Sequence, residues 1–167
     1  MERLWVVDEQ DIPSRRETRE ICHKNYLIHR GVLVGVRNTR DELYFKKRGP
    51  DKSLYPEMWE ISVAGHVPYT ECYKMAGIRE LKEELGLKAS GSELTRIVKF
   101  NDFNEYERMI NMLYLYKIDN PKIELNEEAT EGRFFSYSEF CDLAKTGKIE
   151  VAPYTQIILR NYKDYLF

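Results

Sequence analysis

Glu80, Glu83 and Glu84 are the residues whose type and spacing most directly suggest chemistry. On a helix turning about 100° per residue, Glu83 lies about 60° to one side of Glu80 and Glu84 about 40° to the other. Three carboxylates therefore leave one helical face within about two turns. Like charges at these spacings cost a few tenths of a kcal/mol per pair, and a divalent cation would offset that cost. Oxygen-only donors on one face suit a hard ion, Mg²⁺ or Mn²⁺, rather than a metal that prefers thiolates. For these three residues alone the alternative is a solvated acidic surface with Lys82 as partial neutraliser.

The elements that must hold these carboxylates can be read from the surrounding pattern. Thr70 is placed to cap a helix that runs to Leu85 and stops at Gly86. Ile78, Leu81 and Leu85 share one face at i, i+3, i+7 spacing, the apolar stripe of a helix lying on a sheet. Leu4–Asp8 reads as a strand, and Ser14 as the cap of a short helix reaching Lys24. Arg30–Arg37 and Leu43–Lys47 read as a hairpin across a polar turn. Trp59–Val63, Glu93–Phe100, Arg108–Ile118 and Arg133–Phe135 follow as strands, with helices over Tyr137–Lys145 and about Tyr154–Tyr165. Strand runs broken by a few helices, without regular alternation, predict an α+β or layered α/β/α domain.

The chain of 167 residues suits a single domain over 1–167. A strand and helix fill about 1–28 and a helix about 150–167. Lys and Arg number 26 against 28 Asp and Glu, a formal charge of -2. This argues against nonspecific nucleic-acid binding and against docking on an anionic membrane. The 43% of hydrophobic residues suffices for a core. Cys22, Cys72 and Cys141 form no CxxC pair, so neither a disulfide framework nor a cysteine-rich zinc site is expected. Cys72 reads as a small core residue. The N-terminus meets charges too early for a secretory signal. The apolar runs Val32–Val36 and Met109–Tyr116 fall far below the roughly 20 residues of a bilayer span. A cytoplasmic protein is expected.

Residues 65–87, GHVPYTECYKMAGIRELKEELGL, fit Gly-x5-Glu-x7-Arg-Glu-U-x-Glu-Glu-x-Gly-U without exception, U being aliphatic. The fixed positions are Gly65, Glu71, Arg79, Glu80, Glu83, Glu84 and Gly86. At ~7% per position, seven coincidences arise by chance with a probability of roughly 10⁻⁸ per start site. The segment resembles a complete Nudix box, and the chain is similar to the Nudix hydrolases. The resemblance implies an α/β/α sandwich around a mixed sheet and Mg²⁺-dependent cleavage of a diphosphate linked to another group. It implies Glu83 and Glu84 as the firmest metal ligands, and Glu80 as a ligand or as the group orienting water. Arg79 would hold a box glutamate, and the Ala64 carbonyl would add a ligand. Gly65, Glu71 and Gly86 would be structural. A homodimer is a further expectation at family level. The chemistry agrees with the residues, because a polyanionic diphosphate approaches an acidic site only after metal ions invert the local charge.

Outside the box the chain resembles the Nudix branch related to isopentenyl-diphosphate isomerase. The carriers are Val7-Asp8-Glu9, His29-Arg30, Arg48, Lys52, Pro56, Trp59, Ala64-Gly65-His66 and Glu127-Glu128. That resemblance implies a second site for Zn²⁺ or Mn²⁺ among His23, His29, His66 and the pair Glu105 and Glu107. The His23–His29 spacing is one residue shorter than the isomerase pattern. The isomerase's catalytic cysteine aligns with Ala64, which has no ionisable group, so the hydrolase reading stands ahead of the isomerase. A non-catalytic, nucleotide-sensing Nudix protein is the third alternative, and the intact box weighs against it. Arg48 and Lys52 are placed to receive a substrate phosphate. Tyr55, Trp59, Phe103 and Tyr106 are of a type that stacks on a base or covers an apolar group, and for each one core packing is the leading expectation.

Overall fold

The described residues, 2–119 and 121–167 of a computed structural model, form nine strands and four helices. Their order is β1 (Arg3–Val7), β2 (Pro13–Thr18), α1 (Arg19–Lys24), β3 (His29–Arg37), β4 (Leu43–Arg48), β5 (Trp59–Ile61), β6 (Val63–His66), α2 (Tyr73–Leu85), β7 (Leu94–Phe103), β8 (Arg108–Lys117), β9 (Ala129–Phe135), α3 (Tyr137–Lys145) and α4 (Pro153–Leu166). β3, rich in β-branched residues, is the hub. β8 runs parallel to it from His29↔Met109 to Arg37↔Lys117 and fills one whole edge. The other edge is shared by β1 at Val6↔His29, β6 from Gly31↔His66 to Val34↔Val63, and β4 at Arg37↔Leu43. β7 flanks β8, β4 lies between β5 and β9, and β2 extends β1, all antiparallel.

Strand alternation gives this mixed sheet two apolar faces. Leu33 joins Phe100, Leu113, Phe140, Ile158 and Leu166 on one side, under α3 and α4. Val32, Val34 and Val36 join Ala76, Leu81 and Leu85 of α2 on the other. The layered mixed-sheet expectation is thereby met, and Gly86 stops α2 as expected. Its φ is 68°, and the amides of Gly86 and Leu87 donate to the carbonyls of Lys82 and Leu81 at 3.1 Å each.

Several local expectations are corrected. Residues 13–18 form β2 rather than a helix, because they pair along β1, and the cap of α1 is Thr18, whose Oγ1 accepts from the Ile21 amide at 3.2 Å. The 30–37/43–47 hairpin closes only at Arg37↔Leu43, because each strand finds longer partners elsewhere. Thr70 lies within a turn closed by the Glu71 amide on the Pro68 carbonyl; α2 begins at Tyr73 with an exposed Cys72 at its N-cap, so Cys72 is not a core residue. The 59–63 run splits at buried Ser62, whose Oγ accepts from the Val36 amide and donates to the Tyr44 carbonyl. β7 and β9 are longer than expected because β8 and β4 offer continuous pairing.

Candidate active site

Glu71, Glu80 and Glu83 converge on a guanidinium. Arg79 Nε donates to both oxygens of Glu71 at 3.1 Å, and its NH1 donates to Glu80 at 2.8 Å and Glu83 at 2.9 Å. Its NH2 reaches the His66 carbonyl at 3.2 Å and ties α2 to β6. The repulsion among glutamates on one face is therefore already offset by Arg79, rather than by Lys82 or by a cation alone. Gly65 is the other half of the arrangement. A Cβ there would sit 2.1 Å from Glu80 Oε1, so glycine leaves the space that this carboxylate fills. Glu83 is exposed and Glu84 is buried. Burial pushes the Glu80 carboxyl up and carries Glu84 to about 8, against the attraction of Lys46.

Glu84 belongs to a buried charged group that sequence reasoning missed. Lys46 Nζ lies 2.7 Å from Glu60 and 3.2 Å from Glu84, and all three side chains are almost fully enclosed. Arg48 NH1 donates to Glu60 at 2.7 Å and to the Tyr154 hydroxyl at 3.1 Å, while that hydroxyl donates to Glu60. Burial alone would raise the Glu60 carboxyl, yet Lys46 and Arg48 hold it below the usual range. The available signal was a charge inside each apolar strand run, Lys46 after Phe45 and Glu60 between Trp59 and Ile61.

The histidines gather tightly. His23, His29, His66 and Glu107 place one ligand atom each within 4.8 Å of one another. His23 Nε2 lies 3.1 Å from His66 Nε2 and 3.6 Å from Glu107 Oε2. His23 joins the group despite its short spacing, because α1 packs on β1 and β2 and brings the His23 ring into a stack on His29, centroids 5.2 Å apart. Glu105 is exposed and stands outside it, because it lies in the bend between β7 and β8 rather than in a strand. His29 Nδ1 donates to the Leu27 carbonyl at 2.9 Å, which leaves Nε2 unprotonated, buried and without a partner. Burial lowers all three imidazoles, His29 to about 4, with Arg19 adding to each. Three neutral imidazoles and a carboxylate fit a borderline transition metal, and the orphaned His29 nitrogen fits the same role. The box carboxylates do not converge to this degree among the described residues. As oxygen donors they fit a hard cation.

Both groups open on one cleft of about 260 Å³, which Arg48, Lys52, Tyr55, Asp102 and Asn111 also line. Arg48 and Lys52 therefore line the cleft, although each already faces a carboxylate, Glu60 and Glu128 respectively. Trp59 is in the core, whereas Phe103 and Tyr106 are exposed, a correction to the packing expected of them. Tyr55 packs at the core's edge and meets Tyr106 edge-on at 5.9 Å. Asp102 carried no signal in the sequence, because a polar residue in a strand is ordinarily solvated, whereas Asn111 interrupts the apolar run Met109–Tyr116 as Lys46 and Glu60 interrupt theirs.

Comparison with known proteins matches residues 27–156 to the NUDIX domain. The chain is 37% identical over 84 residues to the uncharacterized Nudix hydrolase PA4841 of Pseudomonas aeruginosa, covering 50% of this chain and 49% of that one. It is 30% identical over 122 residues to the isopentenyl-diphosphate delta-isomerase IDI1 of Gibberella zeae, covering 62% and 46%. It spans about half the length of these two curated relatives. The crystal structure of DR0079 from Deinococcus radiodurans shares the fold with a TM-score of 0.79 at 24% identity, covering 96% of this chain and 99% of that one. No helix among the described residues is long and apolar enough to cross a membrane.

Proposed function

The chain belongs to the Nudix hydrolase family, and on that premise we propose that it cleaves the diphosphate of a nucleoside-linked or similar small molecule, with Glu80, Glu83 and Glu84 holding Mg²⁺ or Mn²⁺. The observation that carries this reading is the Arg79-centred arrangement of Glu71, Glu80 and Glu83 beside Gly65 at the cleft. A cation held there supplies Lewis acidity and neutralises phosphate charge. The protein's own residues do the rest. Arg79 fixes the direction of Glu80 and Glu83. Lys46 favours the ionised form of Glu84 that a cation requires. Lys52 is held by a pair with Glu128 that is partly exposed and readily exchanged for a phosphate oxygen. Arg48 lines the cleft with its Nε and NH1 held by the Leu54 carbonyl, Glu60 and Tyr154, which leaves NH2 for a phosphate oxygen.

Glu83→Gln or Glu84→Gln is expected to lower Mg²⁺-dependent turnover by orders of magnitude, with an unchanged circular dichroism spectrum. Undiminished turnover in both variants would remove the mechanism. A second reading, an enzyme like isopentenyl-diphosphate isomerase, is favoured by the histidine–Glu107 group. Ala64 at the position of the isomerase's cysteine stands against it. A direct isomerisation assay separates the two, and metal analysis of protein purified without added metal tests the histidine site.

A further inference from the structure

The floor of the cleft carries polar groups that the hydrolytic reading does not use. Asn111 on β8 is 2% exposed, and its Oδ1 has no hydrogen-bond partner. Register explains how it reaches the cleft. Asn111 pairs with Gly31 of β3, Gly31 with His66 of β6, and Asn111 with Phe100 of β7. Residues paired across a sheet project to the same side, so Asn111 stands on the side of His66 with only a glycine between them. A Cβ on Gly31 would lie 2.1 Å from Asn111 Oδ1 and 2.1 Å from Met109 Cε. Both side chains lean across the space that any other residue would occupy. In the neighbouring row stand His29, Met109 and Asp102. Asp102 is 7% exposed, takes a single side-chain bond, from Asn104 at 3.3 Å, and lines the cleft with Asn111.

Packing does not account for this pair. Leu113, two residues along the same face as Asn111, fills the core with hydrocarbon, and an unpaired buried carboxamide is costly. We propose that Asn111 and Asp102 form a recognition subsite for the group carried by the diphosphate, and that this group offers hydroxyl or amino hydrogens, as a nucleoside's sugar or base does, and is not a prenyl chain. This rests on the diphosphate-hydrolase reading above. A prenyl chain would seal both polar groups from water and give neither a partner. Sites built around polar groups reject ligands that leave those groups unpaired far more strongly than an apolar pocket rejects a missing methylene.

The test compares ADP-ribose, dimethylallyl diphosphate and inorganic pyrophosphate with Mg²⁺. Wild-type kcat/KM for ADP-ribose is expected to exceed that for dimethylallyl diphosphate by about 100-fold or more. Asn111→Leu is expected to lower the ADP-ribose value about 10–100-fold and to leave pyrophosphate unchanged, with no loss of melting temperature. A structural role alone would not give that combination. Gly31→Ala, which pushes the carboxamide aside without deleting it, is expected to narrow the same ratio. A uniform effect of Asn111→Leu on all three substrates, no effect, or a wild-type preference for dimethylallyl diphosphate overturns the proposal. If nothing is turned over, the hydrolase reading fails, and calorimetric Kd values for the same ligands decide the subsite separately. Weakened ADP-ribose binding by Asn111→Leu upholds it, and equal Kd values sink it. Competition by 2′-deoxy-ADP and by IDP then shows whether the sugar hydroxyl or the base amino group is read.

Discussion

Single residues here carry more than one duty, and Arg79 and His29 illustrate it. Arg79 neutralises Glu80 and Glu83 without metal, so the repulsion evident in the sequence does not by itself require a cation. Among the histidines the pKa shifts give a definite pH dependence. Burial holds His29 at about 4, with His23 and His66 also lowered, whereas an unfolded imidazole titrates near its ordinary value of 6.5. Below that value the unfolded chain binds protons that the folded chain refuses, so the stability is present above 6.5 and is lost as pH falls toward 4. His29 alone accounts for up to about 3 kcal/mol. Thermal melts in chelator between pH 8 and 4.5 are expected to fall on the acid side, with a shallower fall in His29→Phe. Parallel pH profiles for the two proteins would contradict this origin.

At the level of elements, the loop–helix junction divides its work between two glycines. Gly86 ends α2 in the left-handed region and touches nothing of the site, so Gly86→Ala is expected to cost about 1 kcal/mol of stability with little change in turnover. Gly65 has an ordinary backbone, yet a methyl there strikes Glu80. Gly65→Ala is expected to cut turnover at least 10-fold while changing the urea midpoint less than Gly86→Ala does. Equal behaviour of the two variants would refute the division. The helix, its glycine stop and its apolar face were all legible, because each follows from local chemistry within 65–87. The β2 segment and the splayed hairpin were not. Their conformation depends on which distant strand offers an edge, and a strand's pattern does not name its partner.

For the molecule as a whole, the buried charges join parts that are remote in sequence. Lys46 from β4, Glu60 from β5, Glu84 from α2 and Tyr154 from α4 meet at one point beneath the cleft. α4 is held there also by Thr155, whose Oγ1 accepts from the Ile61 amide at 3.0 Å. Lys46→Met would leave two buried carboxylates without their shared ammonium. A loss of about 3–5 kcal/mol is expected, or roughly 10 °C in Tm for a chain of this size, together with a higher Mg²⁺ requirement. Calorimetry of the variant showing a wild-type Tm would mean that the group is not a structural keystone.

The sequence by itself determined the helix that carries Glu80, Glu83 and Glu84, the arginine that steadies the first two, and the family to which that spacing belongs. These follow from a 23-residue pattern whose geometry is local. Only the tertiary structure decided that His23 joins His29, His66 and Glu107 while Glu105 does not, that Lys46 and Glu60 sit beneath Glu84, and that Asn111 looks over Gly31 into the cleft. Each of those depends on strand register and on burial. Register places residues far apart in sequence on one row, and burial turns an ordinary polar side chain into one that must find a partner.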